Sequence, residues 1–379
     1  MPALPLALKS CGRARSGSSD PPAKVRAKKI SKNWSRTTQR PRHPYAIFTF
    51  GARLGCDPQS IAQKVSSLMN MPDSPLTVPI EPPAPSFFRN PELPFVLPRL
   101  LLYLILVEAF TYEFFWISNF YRPSGGSSST TASLITSEFL RFAAVFAAAW
   151  VMSRLEKRNL ADYGLPPRAA LGKRFWQGAA FGLFEISAVL ATLGALGYYH
   201  FGSVEIHGAT LIRWIAFWLA FFLVVGLFEE FAFRGYAQFA LTQGAGFWWA
   251  SIATSLTFGA VHITNPGETW VGIAGIVLTG LFWCLTLRRT GSLWFAVGMH
   301  AAFDFGETFL YSVPDSGMIF PGHLSSATLA GPAWLAGGSA GPEASILDFV
   351  VLLVFFYVFH RLYPANAASP AVIDESRPN

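Results

Sequence analysis

Eight apolar stretches, at about 97–120, 135–153, 175–199, 209–232, 246–264, 269–287, 293–312 and 345–362, each approach the ~20 residues that a helix needs to cross a bilayer. A chain patterned this way has little freedom of fold, and the expectation is an all-α, polytopic transmembrane bundle of about eight spanning helices. Composition agrees: 52% of the 379 residues are hydrophobic and only 13% are charged, which is too apolar for an ordinary soluble domain. The fifth stretch is the weakest, because Thr254, Ser255, Thr257 and His262 interrupt it. Lining a polar interior accounts for them.

The formal charge of +7 is uneven. Residues 1–99 hold fifteen of the 29 Lys and Arg against five of the 22 acids, a balance of +10, so the remainder sums to −3. Residues 1–90, basic and rich in Pro and Ser, read as a disordered segment; 91–365 reads as the transmembrane domain, and 366–379 as a C-terminal tail. Residues 1–70 fit a transit peptide, a disordered tail or an overextended gene start equally well. No recognition module accompanies the basic charge, so nucleic acid is not an expected partner. The bilayer is. Arg154, Lys157, Arg158, Arg168, Lys173 and Arg174 follow the second stretch, Arg288 and Arg289 the sixth, and Arg361 the eighth. With eight crossings these clusters fall on one side with both termini, and that side is expected to be cytoplasmic, in a bacterial inner membrane. Cys11, Cys56 and Cys284 show no paired spacing, so neither a disulfide framework nor a thiolate metal site is indicated.

Charged residues inside apolar stretches are costly, at least ~2.5–3.5 kcal/mol each on insertion scales, and they rarely face lipid. Glu229, Glu230 and Arg234 end the fourth stretch, Phe258 and His262 the fifth, and His300 and Asp304 lie in the seventh. On a helix, Glu230 and Arg234 are four apart and can pair, whereas Glu229 points roughly 100° away from Glu230. One acid is then held ionised by its arginine and the other is left to work. His300 and Asp304 share a face. Each pattern alone is weak, but three stretches delivering ionisable groups point to one shared interior site. Glu108, Glu113, Glu185 and Asp348 have no basic neighbour in sequence and are read as structural, with Asp348 at the membrane interface; Glu307, on the His300 face, is also read as structural, with a place at the border of the site as the lesser alternative. The Gly/Pro/Ser-rich segment 313–343 is too long for a simple turn, and loops of that length are often functional or mobile.

Glu-Glu-x-x-x-Arg at 229–234, Phe-x-x-x-His at 258–262 and His-x-x-x-Asp at 300–304, in this order on successive membrane stretches, resemble the CPBP (Abi) family of intramembrane proteases, which includes the type II CAAX prenyl endopeptidases. The likeness covers 135–312, and Asp162-Tyr163-Gly164-Leu165 resembles the family's lead-in. The third motif ends in Asp304, where prenyl endopeptidases tend to have Asn; this departure touches CAAX specificity more than proteolysis.

The resemblance implies peptide-bond hydrolysis of a membrane-anchored protein or peptide, prenylated or otherwise, with Glu229, Glu230, Arg234, His262, His300 and Asp304 as the catalytic set. The residue types allow it: Glu229 takes a proton from a water poised by His262, and His300, oriented by Asp304, donates to the developing oxyanion. No cofactor is favoured. Two His, a carboxylate and water also make a zinc set, and Glu229, His262 and His300 are then the ligands. Two other classes compete: an ion- or proton-coupled transporter, in which the same groups relay protons, and a non-catalytic scaffold or immunity protein. No internal repeat supports the transporter.

Overall fold

The computed structural model describes residues 93–120 and 131–364. The basic segment 1–90 and the tail 366–379 therefore lie outside the described residues, as do Cys11 and Cys56. Within them the chain is an all-α bundle: α1 (Leu93–Phe120), α2 (Thr131–Leu155), α3 (Lys173–Ala195), α4 (Gly208–Arg234), α5 (Tyr236–Ala245), α6 (Phe247–His262), α7 (Trp270–Thr290), α8 (Trp294–Asp304), the single turn α9 (Ala333–Ala336) and α10 (Ile346–Leu362). All eight apolar stretches are helical. Five segments, 94–119, 131–155, 173–195, 208–245 and 270–290, are long and apolar enough to cross a membrane. The helices of the fifth, seventh and eighth stretches are shorter: 16 residues in α6, 11 in α8 plus a six-residue π-helical turn (Phe305–Leu310), and 17 in α10.

Helix α1 shows why the bundle belongs in lipid. Phe95, Leu101, Ile105, Tyr112 and Trp116 are exposed along its length, so it is apolar on faces that no other part of the described chain covers, as a membrane span is. Helix α8 is the opposite case. Its residues Trp294 to Ala301 are buried without interruption, and it packs against α3, α4 and α7. The contact with α3 is backbone to backbone: a Cβ on Gly178 or Gly182 would strike the carbonyl oxygens of Phe295 and Met299, and one on Gly298 that of Phe175. Small residues four apart permit this approach, which in lipid replaces the hydrophobic effect as the source of helix association.

Two local features were not expected. The fourth stretch runs on past Arg234 into a separate helix, α5, because the chain bends at Gly235, where a Cβ would collide with the Phe231 carbonyl. The 313–343 segment is pinned: Thr328–Leu329 (β2) pairs antiparallel with Tyr199–His200 (β1) after α3, and the Glu205 and Ala330 amides donate to Leu324 and Tyr198 carbonyls at 2.9 and 2.8 Å. The lead-in Asp162-Tyr163-Gly164 forms a 3-10 turn with Tyr163 buried and Gly164 left-handed (φ 95°), and the Gly164 carbonyl accepts from the Leu293 amide at 2.8 Å, docking the turn at the start of α8.

Candidate active site

Helices α4, α6 and α8 bring their ionisable residues to one cavity of about 480 Å³, whose walls include Glu229, His262, His300 and Asp304. Of the adjacent acids at the end of α4, Glu230 is fully buried and Glu229 half-buried, as the ~100° between neighbours on a helix requires. Glu230 Oε1 lies 3.5 Å from Arg234 Nη1 and accepts from His300 Nδ1–H at 3.1 Å. Glu229 Oε2 lies 3.7 Å from His300 Nε2, and Asp304 Oδ2 lies 3.4 Å from the same nitrogen. The imidazole is thus held from behind by Glu230 and faces both Glu229 and Asp304 in front.

That arrangement adds to one expected contact. Asp304, one turn along the same helix, faces Nε2 of His300, while Glu230, on another helix, holds Nδ1. Trp283 of α7 completes the holder, stacking on His300 with centroids 4.7 Å apart and planes 15° from parallel. No motif in the sequence marks Trp283, which lies in an apolar run like many others.

Arg234 is also buried completely, with its guanidinium 4.2 Å from the Phe258 ring and 5.3 Å from Trp283. A cation over an aromatic face is a favourable way to keep such a group out of water. It also gives the Phe of Phe-x-x-x-His a physical role, because it ties α6 to α4 one turn before His262. His262 Nδ1–H donates to the Phe258 carbonyl at 2.7 Å, which leaves Nε2 as the free nitrogen of a half-buried ring.

The donors expected for zinc do not converge on one point. Among the described residues, a set of three potential ligand atoms within 4.8 Å of one another occurs at Glu307, Asp315 and Glu343, not at Glu229, His262 and His300.

Several cavity residues carried no signal in the sequence. Glu138 and Arg141 of α2 form an ion pair at 2.9 Å on one wall. Asp315 and Glu343, from the two ends of the 313–343 segment, stand on another. Burial pushes the Asp315 carboxyl up to about 6, against the Thr308 hydrogen bond that lowers it, and burial together with Asp315 and Asp304 pushes Glu343 well above the usual carboxylate range. Glu185 also lines the cavity and interacts electrostatically with Asp348. Asp348 is only 4% exposed, and the packing of α10 against α3 and α7 encloses it. Glu307 does not line this cavity, and lies buried behind the outer rim with Asp315 and Glu343.

Comparison with known proteins finds a likeness over the segment that carries these residues. The family described as Type II CAAX prenyl endopeptidase Rce1-like matches residues 211–306, the segment from α4 to the π-helical turn that carries all three motifs. No curated protein and no solved structure gives a significant match to the chain. The matched segment, the three motifs and the three helices that bear them coincide, so it is through residues 211–306 that the chain is similar to the type II CAAX prenyl endopeptidase Rce1-like family.

Proposed function

We propose that this protein is an intramembrane endopeptidase that hydrolyses a peptide bond of a membrane-anchored, CAAX-like substrate with water activated by Glu229. The observation that carries the reading is Glu229 Oε2 facing His300 Nε2 at 3.7 Å on a cavity that His262 also lines. A water between these groups gives a proton to Glu229 and its oxygen adds to the scissile carbonyl carbon. His262, whose Nδ1–H is given to the Phe258 carbonyl, turns Nε2 toward that water and, as the neutral ring, accepts from it and aims it. His300, as an imidazolium held between Glu230 and Asp304, presents Nε2–H to the carbonyl oxygen as charge builds there. When the tetrahedral adduct collapses, the C–N bond breaks and the amine leaves with the proton that Glu229 took.

Several features support a lipid-tethered substrate. The cavity walls include Phe221, Phe222, Phe228 and Phe320, which suit an apolar chain, and Glu229 closes a helix that is long and apolar enough to lie in the bilayer. The basic loops support an orientation with both termini cytoplasmic, and a bacterial inner membrane is the location this reading favours. The test is cleavage of a prenylated peptide by the purified protein in detergent. Glu229→Gln, His262→Ala and His300→Ala should each lower kcat/KM by ~10²–10⁴-fold, with an unprenylated peptide cut more slowly by the wild type. Cleavage undiminished in Glu229→Gln removes the proposed base and with it the mechanism.

A further inference from the structure

Beyond the segment that matches the family, the end of α8 and the 313–343 segment enclose a second group of acids. One carboxylate oxygen from each of Glu307, Asp315 and Glu343 lies within 4.8 Å of the others. Glu307, carried inward by the π-helical turn, is completely buried, and among the described residues neither of its oxygens has a hydrogen-bond partner. The ionisable groups that act on it are acids as well: Glu343, Asp315, Asp304 and Asp348. Burying a carboxylate with neither donors nor a counter-charge costs several kcal/mol, so this arrangement calls for a cation.

The neighbours of the three acids look like a support for one. Thr308 Oγ1–H donates to Asp315 Oδ2 at 2.7 Å, and the Ser316 amide and hydroxyl donate to Glu343 Oε1 at 3.0 and 3.2 Å. These bonds orient two carboxylates while leaving Asp315 Oδ1, Glu343 Oε2 and both oxygens of Glu307 uncommitted, as outer partners do around a metal. Gly341 backs the group at φ 127°, and a Cβ there would stand 3.0 Å from Glu307 Oε1 and collide with the Pro314 carbonyl. The absence of a side chain thus keeps the space beside Glu307 open.

We propose that Glu307, Asp315 and Glu343 bind a divalent cation, Ca²⁺ being the best fit, at the base of the 313–343 segment. The donors are oxygen only, the hard set that Ca²⁺ and Mg²⁺ prefer and that does not favour zinc. Ca²⁺ at its usual ~2.3–2.6 Å from each ligand spans oxygens up to ~4.6–5.2 Å apart, which accommodates the observed spacing, whereas Mg²⁺ at ~2.0–2.1 Å needs a tighter cage. The ion clamps both ends of the segment to the end of α8, and because Asp315 and Glu343 also line the cavity, it sets the outer rim of the proposed active site.

The site is tested by binding alone, so its failure is distinct from failure of the protease reading. The full-length protein, purified in detergent and stripped with a chelator, is titrated with Ca²⁺ and separately with Mg²⁺ by equilibrium dialysis, with thermal denaturation in parallel. The expected result is one saturable Ca²⁺ per chain, a Ca²⁺-dependent rise in Tm, and weaker Mg²⁺ binding. Glu307→Gln and Glu343→Gln should each weaken Ca²⁺ binding by at least ~10–100-fold, and Glu229→Gln should leave it unchanged. The Glu307→Gln protein in chelator should melt no lower than the stripped wild type, since the substitution removes a buried charge. Failure of the wild type to bind either ion saturably, full binding by Glu307→Gln, or loss of binding in Glu229→Gln each overturns the proposal.

Discussion

His300 has a carboxylate at each ring nitrogen and an indole against its face, so its orientation is set by three side chains from two other helices and one from its own. Two neighbouring acids on α4 divide the work around it. Glu230 is the counter-charge of Arg234 and the rear support of the imidazole, and Glu229 is the half-buried group that reaches the cavity. Removing one charge of a buried pair typically costs about 3–5 kcal/mol because the partner is stranded. Glu230→Gln should therefore lower the Tm markedly in detergent, whereas Glu229→Gln should abolish cleavage with a far smaller change in Tm. Equal melting of the two variants would contradict this division. Asp304 faces Nε2 at 3.4 Å, a contact that an Asn carbonyl oxygen can replace, so Asp304→Asn should retain cleavage within about tenfold, roughly 1.4 kcal/mol in the barrier. A loss as deep as that of His300→Ala would mean that the charge of Asp304, and not its oxygen, is required. The pairing of Glu230 with Arg234 was legible from their four-residue spacing. Its second contact, to His300 seventy positions along the chain, was not, because nothing in local periodicity reports which helices are neighbours.

At the level of the helices, the site depends on how closely α3, α4 and α8 approach. The α3–α8 contact uses Gly178 and Gly182 where any Cβ would meet backbone, so Gly182→Val forces the helices apart. Overpacking of this kind costs about 1–3 kcal/mol, and the expected result is a lower Tm together with reduced cleavage, since α8 carries His300. The α4–α6 tie is Arg234 over Phe258, a ring that is 3% exposed. Phe258→Ala leaves a cavity beside a buried cation and should destabilise by about 3–5 kcal/mol, while Phe258→Trp, which keeps an aromatic face, should recover part of that in the same melt. The helices themselves were readable from the apolar runs, apart from the break at Gly235 that makes α5 a separate piece. Their pairing was not, because a run apolar on every face has no periodicity that distinguishes a lipid-facing side from a packed one.

For the molecule as a whole, five long apolar segments predict retention in membranes through alkaline carbonate and high-salt washes and release only by detergent. Release by either wash would contradict a polytopic bundle. Length, apolarity and the three spaced motifs were enough to determine, from the amino-acid order alone, that this is a helical membrane protein whose motif residues fall on α4, α6 and α8; those properties are local, and backbone geometry converts them directly into helices and faces. The tertiary structure decided what lies between helices. It made Glu230 the support behind His300, put Trp283 against the ring, held the 313–343 segment to the turn after α3, and gathered Glu307, Asp315 and Glu343 from three places in the chain. Apart from the approach of Glu307 to Asp315, eight residues on, each of these is a contact across long sequence separation, set by tertiary packing, and no pattern with the period of a helix encodes it.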